Sequence, residues 1–195
     1  MTDAPTQSAL RIGTLASVIG IASTILVLTN VPAEESGRQV NVKVARDGTT
    51  NVVHVAGPQY LKAYLDLTGL PTACDGLTGK EIRIGSTFTQ SQCKTMLESK
   101  LVAHAQGVMR CTPGLGLEVP RRDNARAAAV SLAFNVGVSK WCASTARRLI
   151  NAGSIAPACN AFLAWDKARI RGRLQSVPGL AARRQRERAL CLKDA

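Results

Sequence analysis

The sequence predicts an α+β protein in which helices dominate. A small lobe of short strands comes first, a mainly helical lobe follows, and an apolar N-terminal helix precedes both. Three observations carry that expectation. The twenty residues 12–31, "IGTLASVIGIASTILVLTNV", contain no charge. Val40, Val42 and Val44 alternate with polar residues, which is the period of a half-buried strand. From residue 89 onward, apolar residues recur at helical spacing in four or five successive segments. Strands first and helices afterwards, with no internal repeat, make an α+β arrangement rather than an alternating one.

Residues 1–9 read as an N-terminal tail and residues 10–32 as a weak transmembrane or signal-anchor segment. The uncharged run has the length that spans a bilayer core. Gly13, Gly20, Thr14, Ser17, Ser23, Thr24, Thr29 and Asn30 dilute its aliphatic residues. Arg11 precedes the run, and Glu34 and Glu35 follow it. That asymmetry favours a cytoplasmic N-terminus and an exported body. A stable anchor, a cleaved signal peptide ending near Val31-Pro32-Ala33 and an anchor that can leave the membrane all remain open. Residues 33–56 read as a polar linker, "AEESGR", followed by a hairpin over 39–55 that turns at Asp47-Gly48.

After Gly57-Pro58 the Gly, Pro and Thr content of "LKAYLDLTGLPTACDGLTG" predicts short strands and turns. Thr89 with Gln92 forms a capping box that starts the first long helix, with Cys93, Met96, Leu97, Leu101, His104 and Ala105 on one face. His104 is read as a core-edge histidine. A second helix carries "RRDNARAAAVSLAFNVG" and stops at Gly137; its alanines allow close approach of neighbours. A third covers 143–152, a fourth starts near Pro157, and a basic helix runs over 178–192. Trp165 is assigned to the core and Asn135 to a helix end.

The chain carries 25 Lys and Arg against 13 Asp and Glu, a formal net charge of +12. Residues 165–195 alone hold nine basic and three acidic residues. Such a balance attracts polyanions of any kind. No zinc-finger spacing and no interleaving of Arg with aromatic residues points to a specific nucleic-acid partner. Cys74, Cys93, Cys111, Cys142, Cys159 and Cys191 are widely spread with no CxxC pair. Disulfides in an oxidising compartment such as the periplasm therefore fit better than a metal site, and neither a metal nor a cofactor is expected.

Seven stretches occur in one order: "AYLDLTGLPT", "LTGKEI", "TFTQSQCKTMLESKL", "SLAFNVG", "RRLINAG", "FLAWDKA" and "PGLAARRQRERALCL". Together they resemble the phage-type lysozymes of glycoside hydrolase family 24, and most closely the signal-anchor-release endolysins. The resemblance covers residues 57–195. It implies a lysozyme-like fold, a monomer, and peptidoglycan as partner, cut at the β-1,4 bond between N-acetylmuramic acid and N-acetylglucosamine. It also implies a protein at the bacterial inner membrane facing the periplasm, or released into it. Cys111 and Cys142 look additional to that branch, and a bridge between them is expected; no other pairing is implied.

The family's site pattern is Glu-x8-Asp-x5-Thr. Asp66 and Thr72 match its second half and are the candidate catalytic residues. One carboxylic acid must protonate the leaving oxygen while a carboxylate opposite stabilises positive charge and directs water, which the Thr helps to place. Counting back from Asp66, the Glu position falls on Gly57, or on Ala56 with one residue of slack, and neither donates a proton. His54, Gln59 and Tyr60 are not suitable acids. Asp75 and Leu77 depart from the family's usual residues after the Thr, and a Val-rich hairpin stands where the family has the end of a helix. The expectation is therefore a wall-directed relative with weak or no muramidase activity, in a binding or regulatory role. The alternative is an active endolysin whose acid has moved to Asp75, Glu81, Glu34 or Glu35. Arg183, Arg184 and Glu187 read either as a salt-linked face near the cleft or as a solvated one.

Overall fold

The architecture comes from a computed structural model that describes residues 13–66, 69–170 and 172–195. The tail at 1–9 and the start of the apolar run lie outside these residues. The rest of the run corrects the expectation of one apolar membrane helix standing ahead of the domain. It forms two helices, α1 (Leu15–Ile19) and α2 (Ile21–Ser36), built into the core. Leu15, Ala16, Ile19, Val27, Leu28 and Val31 are all buried. The break falls at Gly20, whose φ of +83° is costly for any residue with a Cβ. The diluting polar residues find partners inside the protein: Ser23 Oγ donates to Asp123 at 3.0 Å, and Thr24 Oγ1 donates to the Gly20 carbonyl at 2.8 Å. Among the described residues, no helix is long and apolar enough to cross a membrane.

Residues 33–36, read from sequence as linker, are the last turn of α2. Gly37, at φ +72° and ψ +11°, ends the helix with its N–H on the Ala33 carbonyl. The predicted hairpin follows as β1 (Gln39–Val44) and β2 (Thr50–Ala56), with Val42 opposite Val52 and the turn at Asp47-Gly48. Its valines at 40, 42, 44 and 52 face inward and are half-buried, while Val53 and Val55 are exposed. The second sheet has the order β3 (Tyr60–Leu65), β4 (Pro71–Cys74), β5 (Leu77–Thr78) and is antiparallel throughout.

The helical body opens with α3 (Gln90–Cys111), whose Thr89–Gln92 capping box forms as the sequence predicts. The tip of the β1–β2 hairpin rests on α3: Lys94 Nζ donates to the Thr50 carbonyl at 2.7 Å, and Thr50 Oγ1 donates to Glu98. Next come α4 (Asp123–Val136), α5 (Val138–Cys142), α6 (Thr145–Asn151) and α7 (Ile155–Asn160). α7 begins before Pro157, because proline is tolerated in a first helical turn. The alanines of α4 are buried from Ala125 to Ala133, which lets α2, α3 and α8 (Pro178–Cys191) pack around it. A hairpin of β6 (Lys167–Ile170) and β7 (Arg173–Ser176), which the sequence reading did not anticipate, precedes α8. Three disulfides, Cys74–Cys93, Cys111–Cys142 and Cys159–Cys191, use all six cysteines and include the bridge expected between Cys111 and Cys142.

The β1–β2 hairpin leaves and returns at nearly the same point. A Cβ at Gly57 would overlap the Gly37 carbonyl oxygen and lie 3.1 Å from the Arg38 Cα, at a φ of +87°. Any side chain at Gly57 is therefore expected to pry the hairpin base open. Gly57→Ala should lower stability by about 1–3 kcal/mol, from the left-handed backbone and the backbone overlap together. Denaturant melts with the disulfides intact test this, and an unchanged midpoint would show that the base has slack. Gly57→Glu, which would restore the family's spacing on paper, should fare no better.

Candidate functional site

Carboxylates gather where the end of α2 meets the β3–β5 sheet. Glu35 lies in the last turn of α2, with 17% of its side chain exposed, and accepts a hydrogen bond from Arg183 Nη1 at 2.7 Å. A Cβ at Gly76 would come within 2.8 Å of Glu35 Oε2 and 3.3 Å of its Cβ, so the carboxylate rests against the β4–β5 turn. Glu34 points elsewhere and forms a paired contact with Arg186, at 2.6 and 2.7 Å.

Asp66 ends β3. Its Oδ1 accepts from the Leu70 N–H at 3.0 Å, which pins the β3–β4 turn, and the carboxylate is half-buried. Thr72 lies in β4 opposite Tyr64 of β3 and Thr78 of β5. It is buried, and its hydroxyl donates to the Leu70 carbonyl at 3.1 Å. Tyr64 links the carboxylates electrostatically. Burial, then Tyr60, then the charges of Asp66 and Glu35 push its phenol above the ordinary value, so it stays a neutral donor. Tyr60 and Tyr64 pack with ring centroids 5.1 Å apart.

Arg183 and Arg184 are buried with Glu187, not spread on a solvated face. Arg183 Nε donates to Glu187 Oε1 at 3.0 Å, and Ser131 of α4 donates to the same oxygen at 2.7 Å. Burial alone would pull the Arg183 guanidinium down, but Glu35 and Glu187 outweigh it and hold it above its ordinary value. It is a permanent cation touching Glu35. Burial pushes the Glu187 carboxyl up, against the opposing pull of Arg184 and Arg183.

The other candidates separate from this cluster. Gly57 and Ala56 form the hairpin base. Asp75 is buried, with its carboxylate ion-paired to Arg38 at 2.5 Å. Glu81 is exposed, and Leu77 is in the core. His104 is a core-edge residue as expected, with Nδ1 2.7 Å from the Lys100 carbonyl and its ring 5.1 Å from Phe134. Asn135 and Trp165, assigned from sequence to a helix end and the core, both line a groove with Lys140, Lys167, Arg169 and Leu174; Trp165 is only half-buried. Among the described residues, no group of His, Cys, Asp and Glu could hold a metal ion. The sequence reading passed over Tyr64, Ser36 and Arg38. Tyr64 could have been noticed two residues before Asp66 on the same strand; the other two carry no signal before the fold is known.

The phage lysozyme family model matches residues 57–187. The chain is 37% identical over 129 residues to the SAR-endolysin of Enterobacteria phage P21, covering 66% of this chain and 73% of that protein. It is 35% identical over 155 residues to the endolysin of Salmonella phage P22, covering 77% of this chain and 99% of that one. The fold also matches the active form of the P1 phage endolysin Lyz, with a TM-score of 0.64, 19% identity, and coverage of 94% and 95% of the two chains. The family match begins at Gly57, so α1, α2 and the β1–β2 hairpin all lie upstream of it. With the fold, the disulfide-tied helical body and the match from Gly57 onward in agreement, this chain belongs to the phage lysozyme family.

Proposed function

We propose that the protein is an active muramidase of the endolysin type, cutting the β-1,4 bond of peptidoglycan, with Glu35 as its proton donor. One observation carries this reading: a partly shielded carboxyl stands at the end of a helix, beside Asp66's strand and against the β4–β5 turn. The resemblance implies an acid at a helix end, and Glu35 has that place. Residues 37–56 loop out between Glu35 and Gly57, so linear spacing from Asp66 lands on a glycine although the acid is retained. The expectation of a silent relative loses its main support.

In this mechanism Glu35 gives its proton to the glycosidic oxygen as the sugar leaves. Asp66, just past the end of β3, stabilises the developing positive charge and directs water, and Thr72 helps to place that water. Arg183 holds the Glu35 carboxyl in place through its hydrogen bond. Arg183 divides its N–H groups between Glu35 and Glu187, so its hold on Glu35 is partial.

The reading includes a second location for the N-terminal segment. Residues 10–32 would first lie in the inner membrane, and the packed α1–α2 pair would be the form reached after release to the periplasm. The buried Ser23 and Thr24, both hydrogen-bonded in the folded protein, support it, because such residues lower the cost of leaving lipid. Gly20→Leu with Ser23→Leu should retain the protein in the membrane fraction and remove wall-cutting activity. Release and activity unchanged by both substitutions would count against a membrane stage.

Dye release from purified walls tests the chemistry. The unmodified protein should turn over, and Glu35→Gln should reduce the rate by about 10²–10⁴-fold, the usual contribution of a general acid. Asp66→Asn should also reduce it strongly. If the folded, disulfide-bonded protein binds walls but releases no dye, the wall-binding reading returns. Gly76→Ala should displace the Glu35 carboxylate and slow turnover by roughly 10²-fold, the scale of a misplacement of about 1 Å. Full activity in Gly76→Ala would show that this contact does not set the acid's position.

A further inference from the structure

The carboxylate of Asp75 is buried on the β4–β5 turn and has three donors. Its Oδ1 accepts from Ser36 Oγ at 2.8 Å and from Arg38 Nε at 2.9 Å, and its Oδ2 accepts from Arg38 Nη2 at 2.5 Å. Ser36 and Arg38 are the residues that follow Glu35 as α2 ends. Asp75 is itself held fast: its neighbour Cys74 is bridged to Cys93 in the first turn of α3, and Gly76 on its other side lies against the Glu35 side chain. The backbone N–H of Arg38 also donates to Ser36 Oγ at 3.3 Å and to the Pro32 carbonyl at 3.3 Å, folding the exit of α2 back on itself.

This arrangement answers a mechanical difficulty. A hairpin of two strands departs directly after Glu35, and a chain leaving a helix end with a long insertion has no inherent reason to hold that end against the sheet. A fork-shaped guanidinium on a carboxylate fixes both distance and angle. Because both partners are largely shielded from water, the pair has a large cost if either is removed. The clamp ties the root of the insertion to the turn that Glu35 must face.

We propose that Asp75 is a positioning residue for the proton donor: through Ser36 and Arg38 it fastens the end of α2 to the β4–β5 turn and so sets where the Glu35 carboxyl stands in the cleft. The inference rests on the reading of Glu35 as the acid. Asp75 touches no reacting atom; it acts on the leaving-group proton alone. Its loss therefore harms only substrates whose leaving group needs that proton.

The test compares wall polymer with a chitooligosaccharide bearing a dinitrophenyl leaving group, which departs without protonation. In Asp75→Asn the kcat on wall should fall by roughly 10–10²-fold, with KM within about twofold, while turnover of the activated glycoside should stay within about twofold. Ser36→Ala, which keeps the ion pair, should give a smaller loss of the same kind and guards against a variant that does not fold. Equal losses on both substrates, or none on either, would overturn the proposal. A second readout needs no catalysis: the Glu35 carboxyl, assigned in ¹³C spectra by its absence in Glu35→Gln, should shift its titration midpoint in Asp75→Asn. An unmoved midpoint would overturn the positioning role. An unmodified protein that is inactive, but whose Glu35 midpoint responds to Asp75→Asn, would instead remove the muramidase reading and leave the clamp standing.

Discussion

Arg183 is the contact on which the docking of the N-terminal helices depends. It donates to Glu35 on α2, to Glu187 on its own helix and, at 3.4 Å, to the Ser131 carbonyl on α4. One guanidinium thus joins the N-terminal helices, the central alanine-rich helix and the C-terminal helix. Arginine suits this role because its fork serves several acceptors at fixed angles and stays charged when buried. Removing one member would leave an uncompensated charge in the interior, which typically costs about 3–5 kcal/mol. The packing of α2 and the placement of Glu35 are consequently the same event: α2 cannot dock fully without bringing its acid to the basic pair on α8.

That coupling explains why the site was only half legible in the sequence. Asp66 directly follows β3 and Thr72 stands on the adjoining β4, so their spacing is fixed by a short turn and survives as a linear pattern. Glu35 is held by long-range contacts, to Arg183 and to the Gly76 turn, and a linear count cannot see these. The β1–β2 hairpin lies between Glu35 and Gly57, and its two ends meet at Gly37 and Gly57, so residues far apart in sequence are brought together across it. The close approach there requires a residue with no Cβ, so Gly57 is held by the closure of the hairpin base.

Elsewhere, legibility followed the strength of the local signal. The capping box at Thr89, the Asp47-Gly48 turn and the alternating valines of β1 each have local physical causes, and each formed where the sequence placed it. The β6–β7 hairpin has no such signal. Its residues are nearly all exposed, so no buried face imposes an alternation of apolar and polar side chains. Arg183, Arg184 and Glu187 could not be told from a solvated face, since burial of a charged helix surface depends on what packs over it. Here α4 and α2 do so.

The N-terminal run was the hardest stretch to read, for a reason that bears on its role. A membrane helix and a buried helix of a small domain both need aliphatic residues, and they differ mainly in how they treat polar ones. In this run Ser23 and Thr24 are buried and hydrogen-bonded in the protein interior. Ser23 meets Asp123 of α4, and Gly20 supplies the bend that turns one long apolar segment into two short helices. Each of these features weakens the segment as a span and strengthens it as part of the core. The Ser23 hydroxyl, buried and hydrogen-bonded to a carboxylate a hundred residues away, is the clearest case. A buried hydroxyl that would be costly in a purely apolar setting is tolerated here because Asp123 satisfies it within the folded protein.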